Sequence, residues 1–117
     1  MRLAAVTVGT SQPAELAAFY ARLLGASVGT VQDGWAQVRV PGGVTLNFER
    51  EERFRRPVWP AVRGEQTASQ HLDIEVDDLD SAVEHALGCG AVPAAVQPQE
   101  DVRVLIDPDG HPFCLFL

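Results

Sequence analysis

One pattern of apolar spacings and turns runs twice through this chain, and a tandem repeat restricts a fold more than any composition does. In SQPAELAAFYARLLG (11–25), Leu16, Phe19, Tyr20, Leu23 and Leu24 fall at i, i+3, i+4, i+7 and i+8, a single apolar stripe at helical period. In DDLDSAVEHALGCGA (77–91), Leu79, Ala82, Val83, Ala86 and Leu87 repeat the same five positions. Ser11 or Gln12 followed by Pro13 suits one helix start, and Asp78 suits the other. Gly25 and Gly88 or Gly90 suit the stops. A short strand ending in valine precedes each helix, LAAVTV (3–8) and HLDIEV (71–76). Three further strand-like segments follow each: ASVGTVQ, WAQVRV and VTLNFE in the first half, AVPAAVQ, DVRVLID and PFCLFL in the second. Asp33-Gly34, Pro41-Gly42-Gly43 and Asp107-Pro108-Asp109-Gly110 supply turns between them. The order is βαβββ, twice. The fold class is therefore α+β, one domain made of module 1 (about 1–49), a connecting loop (50–70) and module 2 (71–117).

The loop, REERFRRPVWPAVRGEQTASQ, holds five of the nine basic residues (Arg50, Arg53, Arg55, Arg56, Arg63), two prolines and Trp59. It is too long for a simple connector, so it reads as a linker or a binding loop. Elsewhere acid dominates, and the net charge of −7 excludes a nucleic-acid partner and an anionic membrane surface. No stretch approaches the ~20 apolar residues of a membrane span, and the opening apolar run is too short for a signal peptide. A cytoplasmic location follows, with Cys89 and Cys114 as thiols rather than a bridge.

The twofold βαβββ order, FYARLLG (19–25) and DPDGHPF (107–113) resemble the vicinal oxygen chelate superfamily, which includes glyoxalase I, extradiol dioxygenases, fosfomycin-resistance enzymes and bleomycin-binding proteins. RRPVWP, QHLDIEVDDLDSAV and DPDGHPFCL look more closely like its small glyoxalase-like members. The resemblance covers essentially the whole chain. It implies curved sheets forming a cavity or half-barrel with helices outside, and a homodimer. It also implies that metal-dependent members carry their ligands on the first and last strands of the modules.

Alternation assigns faces on each strand. Leu72, Ile74 and Val76, Val44, Leu46 and Phe48, and Val102, Val104 and Ile106 belong beneath a helix, with Phe113 and Leu115. The opposite, concave faces receive His71, Asp73 and Glu75; Arg103 and Leu105; Thr45, Asn47 and Glu49; Trp35, Gln37 and Arg39; and Cys114 with Phe116. Matching Val8 to Val76 sets Leu3 opposite His71, and matching the last strands sets Asn47 opposite Cys114. Leu3, Asn47, His71 and Cys114 make a poor site for a hard cation, since one has no donor, one is a neutral amide and one is a soft thiol. No cofactor is expected. A divalent metal, if one binds, would use His71 with Glu49 or Cys114.

Two functions follow. In one, the protein binds a small organic ligand without the usual metal, through Trp35, Arg39, Asn47, Trp59, His71, Asp73, Arg103, Cys114 and Phe116. The acidic balance then suits a cationic, aromatic or heterocyclic ligand met by Asp73, Glu75 and Glu49. In the other, it is a lyase, isomerase or dioxygenase-type enzyme acting on a small carbonyl or diol compound, with His71 as catalytic base or ligand. Each residue also has a plainer reading. His71 is a vestigial cavity histidine hydrogen-bonded to a neighbour, Cys114 a small buried apolar side chain, Trp59 a plug of the cavity or a cover over a module edge, His111 part of a turn and His85 solvent-exposed.

Overall fold

Tyr20 and Phe48 stack at 5.4 Å between ring centroids with planes 12° apart, and Phe19 meets Tyr20 edge-on at 4.9 Å. A computed structural model describes residues 1–117, and these rings are the centre of its first module. Phe19 and Phe48 are fully buried and Tyr20 is nearly so. Helix α1 (Pro13–Leu24) lays Phe19 and Tyr20, with Leu16 and Ala17, onto strands β3 (Trp35–Arg39) and β4 (Thr45–Arg50). Ala36, Val38, Leu46 and Phe48 answer from the sheet. The apolar stripe and the strand alternation of the sequence are therefore both realised.

Strand β1 (Ala5–Thr10) runs parallel to β4, while β3 runs antiparallel to β4 and to β2 (Ser27–Gln32), giving the order β1-β4-β3-β2. The second module repeats the scheme as β5-β8-β7-β6, from β5 (Leu72–Glu75), β6 (Val92–Pro93), β7 (Val102–Ile106) and β8 (Pro112–Phe116), with helix α2 (Leu79–Cys89) between β5 and β6. The chain divides into two compact units, Met1–Phe54 and Arg55–Leu117. The segment from Arg55 onward thus belongs with the second module. Within it, Val58 N–H donates to the Gln66 carbonyl at 2.8 Å, and Arg56 Nη1 donates to the Pro108 carbonyl at 3.0 Å. No helix is long and apolar enough to cross a membrane.

Helix ends follow the residues that suit them. Gln12 is the α1 N-cap with Pro13 beside it, and its own N–H is held by Thr10 Oγ1 at 3.1 Å. Asp78 caps α2 by accepting from the Ser81 N–H at 2.8 Å. Gly25 (φ +61°) and Gly90 (φ +115°) close the two helices in the left-handed region, where a Cβ is disfavoured.

Three expectations change. The first strand lies two residues later than LAAVTV, at Ala5–Thr10, because Thr10 rather than Val8 abuts the helix cap. AVPAAVQ contributes only Val92–Pro93 as strand. Proline cannot donate to a ladder, and the Gln97 side chain takes over beyond it, accepting from the Val104 N–H and donating to the Val104 carbonyl, both at 2.8 Å. The apolar stripe of α2 is shallow: only Ala86 is buried and Leu87 is exposed. Its alanines give it less to bury than the aromatic face of α1, and β6 beneath it is two residues long.

Phe48→Ala removes one of the stacked rings and should cost about 3–5 kcal/mol in a denaturant titration. Asp78→Ala should lower the melting temperature at neutral pH. Hydrogen bonds from Ser81 hold the Asp78 carboxyl below its ordinary range, so its contribution is present above that range and is lost as pH falls through the lowered value. The gap between wild type and Asp78→Ala, followed by thermal melts from neutral to acid pH, should therefore close on acidification.

Candidate functional site

Parallel pairing of β5 with β8 aligns Asp73 with Cys114 and Glu75 with Phe116. These residues share one face of the second sheet, and His71 joins them one alternation earlier. His71 Nε2 lies 3.1 Å from Asp73 Oδ1, with the two side chains 48% and 60% exposed. One donor atom each from His71, Asp73 and Cys114 lies within 4.8 Å of the other two. A nitrogen, a carboxylate oxygen and a sulfur thus converge on an accessible, partly apolar floor.

That floor is not the expected one. Antiparallel pairing sets Val104 beside Cys114, Val102 beside Phe116 and Ile106 beside Pro112. Val102, Val104 and Ile106 therefore lie on the His71 face. Arg103 pairs with Leu115 and Leu105 with Phe113, which puts both on the helix side. Arg103 donates to the Glu100 and Val102 carbonyls at 2.7 and 2.9 Å, and Leu105 is buried. Alternation could not orient VRVLI because its valines and its leucine are equally at home in a core, and only the register with β8 decides.

The thiol of Cys114 is raised above its ordinary pKa, first by burial, then by the negative charge and hydrogen bond of Asp73. A nucleophilic cysteine needs the opposite shift, so Cys114 is not poised to attack. Neither cysteine is in a disulfide; Cys89 lies at the last position of α2 with its Sγ 3.8 Å from Nε2 of exposed His85.

In the first module the corresponding face comes out as the alternation predicts. Trp35 pairs with Glu49 and Gln37 with Asn47, and Thr7 of β1 pairs with Asn47. Gln37 donates to Asn47 Oδ1 at 3.3 Å and Arg39 Nε donates to Gln37 Oε1 at 3.4 Å, making a neutral amide row with a guanidinium at its end. Trp59 is half-buried in the second unit.

The helix caps and strand registers together re-align the repeats. Gln12 matches Asp78, so Thr10 matches Val76, Thr7 matches Asp73 and Ala5, not Leu3, matches His71. The pairings agree, since Thr7 faces Asn47 as Asp73 faces Cys114. The four ligand positions implied by the resemblance are then Ala5, Asn47, His71 and Cys114. Alanine has no donor and Asn47 offers a neutral amide already engaged by Gln37. This set does not fit a hard divalent cation, which takes a shell of oxygen ligands with charged carboxylates.

Asp107 went unrecognised as more than a turn residue. It is 1% exposed, and its carboxylate accepts from the N–H groups of Asp109 (2.9 Å) and His111 (3.0 Å) and contacts His111 Nδ1 at 2.9 Å. The signal was present in DPDG, since aspartate at the head of a tight turn bonds the backbone ahead of it. His111 accordingly belongs to the turn. Gly110 (φ +99°) packs so closely on the Arg56 side chain that a Cβ there would collide with it.

Residues 5–116 match the glyoxalase-like domain family. No curated protein sequence matches the chain significantly. Among solved structures, a glyoxalase/bleomycin resistance protein/dioxygenase family enzyme from Burkholderia phytofirmans superposes with a TM-score of 0.72 at 18% identity, covering 98% of this chain and 97% of its own. A possible glyoxalase from Bacillus cereus gives 0.73 at 12% identity, with 100% and 99% covered. The fosfomycin resistance protein FosX from Listeria monocytogenes, in complex with Mn(II) and 1S,2S-dihydroxypropylphosphonic acid, gives 0.71 at 12% identity, with 99% and 88% covered. At these identities the likeness is one of fold.

Cys114 should alkylate slowly at neutral pH, with its reactivity rising only at higher pH than an ordinary thiol. Asp73→Asn removes the charge that opposes the thiolate and should speed alkylation of Cys114 several-fold, as read by peptide mass spectrometry across a pH series.

Proposed function

Because the chain belongs to the glyoxalase-like domain family, we propose that it binds a small organic molecule on the exposed polar faces of its sheets, without the hard divalent cation of metal-dependent members. One observation carries this reading. At matching register the second module presents His71, Asp73 and Cys114, whereas the first presents Ala5, Thr7 and Asn47. Neither set by itself is the carboxylate-rich oxygen shell that a hard cation takes, but the second retains polar groups able to hold a molecule.

The chemistry favours a cationic aromatic or heterocyclic compound. Trp35 and Glu49 are direct cross-strand neighbours, an aromatic ring beside a carboxylate. On the second module Asp73 and Glu75 are exposed, Glu75 beside Phe116 and Asp73 beside Cys114. Trp59 lies between Pro57 and Pro60, which stiffen the chain, so it loses little entropy when it packs against a ligand. Arg103, bonded to backbone carbonyls on the helix side, takes no part.

A second reading rests on one contact. Asp73 lies 3.1 Å from His71 Nε2 and so orients the imidazole, as a positioned acid–base pair requires. A lyase, isomerase or dioxygenase-type reaction on a small carbonyl or diol compound would then use His71 as its base.

A thermal-shift screen of cationic heterocycles and of small diols and carbonyl compounds separates the two. Binding at 100 times the dissociation constant stabilises the native state by about 2.7 kcal/mol. The binding reading expects a shift with a cationic heterocycle that Glu75→Gln and Trp59→Ala reduce, no turnover, and no stoichiometric manganese, magnesium or iron in tag-free protein. Stoichiometric manganese, or turnover of a diol or carbonyl compound abolished by His71→Ala, would overturn it.

A further inference from the structure

We infer that Arg56 is the positioning residue for Trp59: it latches a closed surface loop, residues 58–67, onto the turn between β7 and β8, and the tryptophan is held in place through that latch. The inference deepens the organic-ligand reading, on which it rests only for what Trp59 then touches. The DPDG turn becomes the seat of a strap as well as a connection between strands.

The loop closes on itself. The Val58 N–H donates to the Gln66 carbonyl at 2.8 Å, and Val58 bridges to Thr67. Inside that closure the Glu65 N–H donates to the Val62 carbonyl at 3.0 Å. A segment whose ends meet in this way is a compact surface loop, and it behaves as one body rather than as a run of independent residues. From Pro60 to Thr67 every residue is exposed, Val62 at 53%, so the far end has little to rest on. Pro57, Val58 and Trp59 at the root are half-buried. Whatever fixes the root therefore fixes Trp59.

Arg56 joins that root to the turn by two contacts. Its Nη1 donates to the Pro108 carbonyl at 3.0 Å. Its side chain also lies against the bare Cα of Gly110, where a Cβ would meet Arg56 Cγ, Nε and Cζ. Arginine suits both: the planar guanidinium aims a donor along a fixed line, and the stem packs flat on the chain beneath. The seat itself is rigid. The buried Asp107 carboxylate accepts the Asp109 and His111 N–H groups, the Asp107 carbonyl accepts the Gly110 N–H at 3.0 Å, and the Asp107 N–H donates to the His111 carbonyl at 2.9 Å. These bonds hold the Pro108 carbonyl and the Gly110 backbone where Arg56 meets them. A soft loop tied to a rigid turn through one side chain has its position set by that side chain.

The test reads Trp59 fluorescence without any ligand, in the full chain carrying Trp35→Phe so that Trp59 is its one tryptophan. Arg56→Ala should move the emission to the red and raise quenching by acrylamide severalfold, well below the melting temperature and with cooperative unfolding retained. Arg56→Lys keeps a stem and a donor and should lie between, while Arg55→Ala should match the parent. Gly110→Ala should release Trp59 by displacing Arg56. In the Arg56→Ala background it should add nothing to the emission change, because both act through one contact. If Gly110→Ala fails to melt cooperatively, the Arg56→Ala, Arg56→Lys and Arg55→Ala series decides. Parent-like emission and quenching in Arg56→Ala, an equal change in Arg55→Ala, or a further red shift on adding Gly110→Ala to Arg56→Ala would each overturn the latch. If the latch is upheld and no cationic heterocycle stabilises the protein, the binding reading alone fails.

Discussion

Parallel pairing between the first and last strands of each module is the constraint on which the rest depends. Two parallel neighbours cannot be joined by a tight turn, so the chain must leave the sheet, cross over and return. Here the crossover includes a helix, and the helix covers one face of the sheet it spans. The opposite face is left to the residues that pair across β1 and β4, or across β5 and β8. Asp73 meets Cys114, and Thr7 meets Asn47, because of this pairing alone.

The register is held from the helix caps. Thr10 Oγ1 accepts the Gln12 N–H at the end of β1, and Asp78 accepts the Ser81 N–H just after the Val76 N–H has donated to the Phe116 carbonyl at the end of β5. A shift of one residue would exchange the faces of the whole strand. A shift of two keeps the faces and changes the neighbour, which is why Ala5 rather than Leu3 stands where the second module has His71. The consequence is chemical: the first module has an amide row at Gln37 and Asn47, and at the positions matching Ala5, Thr7 and Asn47 the second has His71, Asp73 and Cys114.

The two modules also differ in how they are held together. The first relies on aromatic burial, with Phe19 and Tyr20 of α1 packed together and Tyr20 stacked on Phe48 of β4. The second has a shallower helix and draws more on polar closure. Gln97 replaces missing strand pairing along Val104, Asp107 satisfies the N–H groups of its own turn, and Arg56 ties the loop to that turn through the Pro108 carbonyl. A site built on the second module can therefore be exposed and polar without leaving buried groups unsatisfied.

Periodicity and turn chemistry were enough to establish the βαβββ repeat, both helices and their stops, the Asp78 cap, and the inward faces of strands such as TLNFE, where polar and apolar residues alternate. They were enough because each is a local property: a helix stripe, a left-handed glycine, a side chain one pleat from the next. They turned the wrong face of VRVLI to the helix, because Arg103 marked the Leu105 side as the outer one, and they could not shorten AVPAAVQ to two residues or align Ala5 with His71. Those depend on which strand lies beside which and at what register, and backbone pairing across a crossover is not written in any short stretch of chain. The meeting of His71, Asp73 and Cys114 is of that kind. The sequence named all three as candidates, and only the parallel pairing of strands some forty residues apart placed the thiol beside the carboxylate.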